Sequence, residues 1–276
     1  MTTTAPHPID TKAQRIARAR AIFGERRKIL AALFPENGEA LVARACAAAC
    51  VTVNTPALAK ASVDSICERV IACHHLGLEI GDQAYVVPYK GEAQLIVGPR
   101  GLTLLAYRSG FVKSIYATSV FAADVEAGLF KYNLATSQIR HEKAPAGRRG
   151  GGRPEQLISH AYCIIETRTD GRVLEVLTAE DLAYYRGFSK ASSGPWFDNY
   201  EGMCRKTVLK RGLEFVPRSP LLVASLRETE TGGYEIPEDM WEAAKLKASG
   251  VVSEQVLEQV EHEVTTGEVL RQPGED

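Results

Sequence analysis

Apolar residues between positions 11 and 34 recur at helical spacing (Ile16, Ala19, Ile22, Phe23, Ile29, Leu30, Leu33), with Lys12, Arg15, Arg18, Arg20, Arg26, Arg27 and Lys28 between them. That pattern predicts an amphipathic basic helix interrupted near Gly24, either packed on a neighbouring subunit or on DNA, or simply a solvated arm. The same period predicts helices over residues 39–53 and 63–76, the second opened by Ser62 as N-cap and closed by Gly77. The period then drops to two. Residues 83–89 and 93–97 alternate around Lys90-Gly91-Glu92, a hairpin pattern, and Pro99 opens a helix that runs through Arg108 to Gly110. Further strands are predicted over residues 112–121, 125–133, 157–167 and 172–177, the last two joined by Thr169-Asp170-Gly171. Thr178 and Asp181 form a capping box for a short helix through Arg186. Residues 140–154 carry Lys143, Arg148, Arg149 and Arg153 among glycines and prolines, a composition expected of a mobile loop that either clamps a nucleic-acid strand or is merely solvated. The predicted fold class is α+β: an antiparallel β-sheet of hairpins, the first hairpin included, covered by helices.

A break over residues 189–195 precedes a predicted helix with four cations, residues 198–215, started by Pro195 and Asp198 and ended before Pro217. At about 100° per residue, Tyr200, Met203, Cys204, Thr207, Val208 and Phe215 share one face and Leu209 and Leu213 lie nearly opposite, so burial on two sides is expected. Lys206 and Lys210 stack at i, i+4, where like charges repel by a few tenths of a kcal/mol unless an anion sits between them. They are either a phosphate-binding ridge or a solvated face. Arg205 and Arg211 point elsewhere. Trp196 is read either as a buried anchor for this helix or as a base-stacking platform.

Charge changes the picture more than composition does. The net charge of −1 conceals an asymmetry: residues 1–227 hold 30 Lys/Arg against 21 Asp/Glu, whereas residues 228–276 hold 3 against 13. A basic body calls for a polyanionic partner, and an acidic tail for a protein partner or an internal competitor. Gly232, Gly233 and Pro237 punctuate a linker before two short predicted helices, residues 238–248 and 254–264, so a cut near Thr231 is expected to spare the core. Three segments follow: a basic helical arm over residues 1–36, a core over 37–226, and an acidic linker with a small helical interaction module over 227–276. No apolar run approaches the roughly 18 residues of a membrane span and no signal-peptide core is present, so a cytoplasmic location is expected. Cys46 and Cys50 at i, i+4, with His74-His75, invite a zinc reading. No closing pair of ligands accompanies them, and small packed thiols account for them better. No metal or cofactor is expected.

Two blocks carry a resemblance. The first is Ser189-Lys190 … Gly194-Pro195-Trp196 … Tyr200 through Arg211 … Val216-Pro217. The second is His75-Leu76-Gly77-Leu78-Glu79-Ile80-Gly81-Asp82, then Tyr85 to Tyr89, Gly98-Pro99-Arg100-Gly101-Leu102 and Arg108-Ser109-Gly110. Together, with a weaker match at His160-Ala161-Tyr162, the sequence from about Leu41 to Pro220 resembles the RecT family of phage single-strand annealing proteins. Gly202 and Cys204 depart from the small apolar helix formers expected at their positions, and the arginine-rich loop near Gly150 is longer than usual.

The resemblance implies a non-enzymatic protein that binds single-stranded DNA and anneals complementary strands without ATP, as a DNA-bound homo-oligomer in the bacterial host cytoplasm. It implies DNA contacts from Lys206, Lys210, Arg205, Arg211, Arg100, Lys190, Ser189, Trp196 and Arg108, and a tail that recruits a phage exonuclease or the host single-strand binding protein. A passive single-strand binding module is the alternative, and a metal-dependent nuclease a third reading that lacks a carboxylate cluster. The glycine-rich Gly147-Arg148-Arg149-Gly150-Gly151-Gly152-Arg153 has neither the lysine nor the hydroxyl of a nucleotide-binding phosphate loop.

Overall fold

The computed structural model describes residues 10–34, 37–145, 157–189, 194–217, 222 and 234–250. The chain forms two compact units, residues 1–101 with 223–276 and residues 102–222. These are cut at other places than the three segments read from the sequence, with one division inside a helix.

The first unit is helical. Helices α1 (Lys12–Glu25), α2 (Arg27–Leu33), α3 (Gly38–Thr52) and α4 (Val63–His75) pack on one another, and α10 (Glu238–Ser249) lies on α2. The break between α1 and α2 falls at Arg26, two residues beyond Gly24. Thr11 and Gln14 form a capping box at the start of α1, and Ser62 accepts from the Ser65 N–H at the start of α4. Ala19, Ile22 and Phe23 of α1 are buried, so the apolar stripe of the basic arm is spent inside the unit. Arg15 is buried too. It donates from Nε to the Val53 carbonyl at 2.8 Å, from Nη2 to those of Leu58 and Ala61 at 3.1 and 3.2 Å, and from Nη1 to Ala59 at 3.3 Å. One guanidinium thus serves the carbonyl-rich end of α3 and the turn after it.

Strands β1 (Ala84–Tyr89) and β2 (Glu92–Val97) form an antiparallel hairpin against α4, with Ala84 opposite Val97 and Tyr89 opposite Glu92. Lys90 and Gly91 both take positive φ (49° and 87°), the conformation that a two-residue turn between twisted strands requires. Helix α5 (Pro99–Arg108) follows, and the division between the units falls within it.

The second unit is built on a three-stranded antiparallel sheet, β3 (Val112–Phe121), β6 (Ile158–Thr167) and β7 (Arg172–Thr178), in the order β3-β6-β7. The α+β class and antiparallel pairing stand, but among the described residues the strands fall into three separate sheets, and the first hairpin belongs to the other unit. Residues 125 and 126, the start of the strand predicted over residues 125–133, belong instead to a short helix, α6 (Ala122–Glu126), in which Asp124 turns its carboxylate back to the Phe121 N–H at 3.0 Å. Strands β4 (Phe130–Asn133) and β5 (Gln138–His141) pair as a hairpin, where the sequence suggests a single strand followed by loop. Phe130 and Ile139 of this hairpin pack with Val120, Tyr162, Ile164, Leu174 and Val176 on one side of the main sheet.

Buried Asp124 anchors that corner. It accepts from the Ala144 N–H at 2.7 Å and lies 3.2 Å from His141 Nε2, whose Nδ1 is 3.2 Å from the Tyr162 hydroxyl. The other side of the sheet carries α9 (Tyr200–Leu213), which also meets α7 (Ala179–Gly187) and α8 (Pro195–Asp198). Among the described residues no helix is long and apolar enough to cross a membrane.

Candidate nucleic-acid interface

Helix α9 is held on the sheet by Tyr200, Cys204, Val208, Leu209 and Leu213, all buried, and by Gly212, where a Cβ would stand 3.3 Å from both Cys163 Sγ and Ile165 Cδ1. Phe215, expected on the buried face, lies beyond the helix end and is exposed. The N-cap is Asn199 and not Asp198: the Asn199 side chain accepts from the Gly202 N–H at 3.1 Å. That accounts for Gly202, because a Cβ there would stand 2.3 Å from the amide nitrogen of the same Asn199 side chain.

Ahead of α9, Gly194 takes φ +104°, a conformation that favours glycine, and the chain enters α8. Trp196 is 8% exposed, with its ring 5.7 Å from that of Tyr200. That is the geometry of an anchor at the entry to α9.

The cations divide by environment. Lys206 and Lys210 are half-buried, one turn apart on α9, and Arg205 is exposed. Arg211 is engaged with carboxylates: Nη1 donates to Glu214 at 2.5 Å, and Nε lies 3.8 Å from Glu175 on β7. Burial beneath the helix pushes the Glu175 carboxyl above its ordinary value, with Arg211 opposing that shift. Ser189 is exposed just beyond α7, its N–H bonded to the Arg186 carbonyl at 2.9 Å. Lys190 lies outside the described residues, as do Arg148, Arg149 and Arg153 of the basic loop. Arg108 is exposed in the last turn of α5. Arg100 belongs to the first unit, where it is paired with Asp82. Ser189, Trp196 and the four cations of α9 belong to the second unit, and Arg100 to the first.

Sequence reasoning passes over four residues here: Tyr184, Arg186, Phe188 and Phe197. The Arg186 guanidinium sits 4.9 Å from the centre of the Phe197 ring and 5.7 Å from that of Tyr200, which ties α7 to α8 and α9. The available signal is Tyr184 and Phe188 at i, i+4, on and just beyond a nine-residue helix with one inward leucine, Leu182.

Four of the six thiols are buried packing groups. Burial pushes Cys67, Cys73, Cys163 and Cys204 up to about 12, so none is a nucleophile near neutral pH. Among the described residues no group of three or more His, Cys, Asp or Glu side chains is placed to hold a metal ion.

A family model described as the RecT family matches residues 43–239. The chain is 31% identical over 176 residues to Protein RecT of Escherichia coli (strain K12), an overlap covering 59% of this chain and 62% of that protein. It thus spans a little under two thirds of that relative's length. The family match takes in both sequence blocks, the whole main sheet and α9, well over half of the chain, and the chain belongs to the RecT family.

Proposed function

We propose that this protein binds single-stranded DNA and anneals complementary strands without ATP, acting as a DNA-bound homo-oligomer in phage-type recombination in the host cytoplasm. The observation that carries the reading is the pair Lys206 and Lys210, half-buried and one turn apart on a helix held to the sheet by Cys204, Val208, Leu209 and Leu213, within the span that the family model matches. Two like charges at that spacing repel, and a phosphate between them turns the repulsion into binding. The positive excess of residues 1–227 supports a polyanionic ligand.

Neutralising phosphates removes the repulsion between two strands, and a protein that grips the backbone leaves base edges free to pair. Annealing in this sense is alignment, with no bond made or broken. Ser189, Lys190, Arg205 and Arg108 extend the proposed contact surface, with Arg100 a contact from the first unit. Arg211 supports α9 through Glu175, and Trp196 acts as anchor. The acidic C-terminal residues recruit a partner exonuclease or the host single-strand binding protein.

The test is an annealing time course with two complementary labelled oligonucleotides, without nucleotide or added metal. Accelerated annealing is the expected result. Inhibition would mean a passive single-strand binder, and degradation a nuclease.

A further inference from the structure

Large rings are exposed around the end of α7 and on α8. Tyr184 is 67% exposed, Phe188 65% and Phe197 49%. Tyr184 and Phe188 sit at i, i+4 with ring centres 4.9 Å apart at 82°, and Tyr185 joins them at 5.7 and 6.4 Å. Single exposed apolar residues are ordinary, but a cluster held in edge-to-face contact on the surface marks a binding surface. We infer that Tyr184 and Phe188, with Phe197 beside them, form a stacking shelf for the bases of single-stranded DNA; this rests on the DNA-binding reading above and assigns the part of the ligand that the lysines do not touch.

Charge and position favour nucleic acid as the occupant. Arg186, on the same turn as the rings, lays its guanidinium on Phe197 and on Tyr200, the first residue of α9. Lys206 follows Tyr200 by six residues, about 9 Å along the helix axis. Rings and phosphate-binding cations thus occupy adjoining elements, the combination that single-strand binding surfaces use. The chemistry also suits annealing. A ring engages the face of a base and leaves its pairing edge open, whereas a hydrogen-bonding side chain would occupy that edge. A stacking shelf therefore spaces and orders bases without hiding them from a complementary strand.

The experiment measures the affinity of the full chain for a mixed-sequence oligonucleotide and for an abasic strand of the same length, across a salt series. The wild-type protein should prefer the strand with bases. The double substitution Tyr184→Ser with Phe188→Ser should weaken binding to that strand about tenfold, leave the abasic strand and the salt slope unchanged, and so abolish the preference. Tyr184→Phe with Phe188→Tyr, which keeps both rings, should retain it. The shelf is overturned if the wild type does not distinguish the strands, if the serine variant keeps the preference, or if that variant weakens both strands in parallel. Loss of self-association without DNA would instead make the shelf a contact between copies. Should the wild type bind neither strand at any salt, the DNA-binding reading falls and takes the shelf with it. Binding with a normal salt slope but no preference for bases removes the shelf alone.

Discussion

Arg15, buried, and His75, half-buried, show how single polar groups bear on the first unit. Removing the Arg15 guanidinium strands the carbonyls of Val53, Leu58, Ala59 and Ala61 in an interior that water reaches poorly. Arg15→Ala should therefore cost about 3 kcal/mol or more, whereas exposed Arg20→Ala on the same helix should stay within about 0.5 kcal/mol; thermal melts of the two variants check this. In the sequence Arg15 looks like one cation among seven, because its four acceptors lie 38 to 46 residues away, beyond any local pattern.

His75 gives the unit a pH dependence. Burial pushes its pKa down to about 4, and its Nδ1 lies 3.1 Å from the Tyr234 hydroxyl. An unfolded histidine takes up a proton near pH 6.5, so between about 6.5 and 4 the unfolded chain binds more protons than the folded one. Stability from this site is complete above pH 6.5 and falls as the pH drops towards 4, by up to about 3 kcal/mol. His75→Gln should flatten that part of the profile of melting temperature against pH. Because burial also lowers His74 and His160, some slope will remain.

On the DNA-binding reading proposed above, helix α9 carries two kinds of basic residue. Lys206→Ala and Lys210→Ala should each weaken DNA binding across all sequences and lower the log–log salt slope by roughly 0.7 for each phosphate no longer neutralised, with little change in melting temperature. Arg211→Ala should do the reverse. It leaves Glu175 half-buried beneath the helix without its cation, so stability should drop by about 1–2 kcal/mol while the salt slope holds. Titration and melting of the three variants decide between the assignments, and an Arg211 variant with a lowered slope and unchanged stability would return that arginine to the DNA surface.

Elements of this kind are legible where the period is long and the ends are marked. Helices α3 and α4, strands β3, β6 and β7, and the hairpin around Lys90-Gly91 stand within a residue or two of their expected places. The start of the strand predicted over residues 125–133 lies in a helix because Asp124 closes the turn with a hydrogen bond from the Phe121 N–H, which spacing does not reveal. The β4–β5 pairing escapes the pattern because β5 is four residues long and runs into a loop-like composition. The proposed phosphate-binding pair, Lys206 and Lys210, is suggested by its spacing. The ring shelf is not, since an i, i+4 aromatic pair reads equally well as core until its exposure is known.

At the scale of the whole molecule, the sequence suggests a linker and a detachable acidic module, and part of the segment so read, residues 234–250, packs in the first unit. Thr231, Gly232 and Gly233 lie outside the described residues, but the chain just beyond them is embedded in the first unit. Tyr234 is 2% exposed and stacks on His75, and Ile236 is buried. Arg69 donates to the Tyr234 carbonyl at 3.1 Å and to Glu235 at 2.8 Å, and α10 covers α2. The acidic character continues past this packed segment: residues 251–276 carry seven Asp or Glu against one basic residue, Arg271. A chain ending at residue 231 loses the buried Tyr234 and Ile236 side chains, about 4 kcal/mol of apolar burial, and uncovers α2, so it should melt well below the full chain. A chain ending at residue 250 keeps that packing and sheds six net negative charges. If those charges compete with DNA for the basic surface, this shorter chain should bind oligonucleotide more tightly at low salt, with the difference vanishing as screening grows. If they only recruit partners, its affinity and annealing rate should equal those of the full chain and only recombination in cells should fall. Melting, titration and annealing of the two truncated chains separate these outcomes, and a 1–231 chain as stable as the full protein would show that the Tyr234 contacts do not anchor the unit.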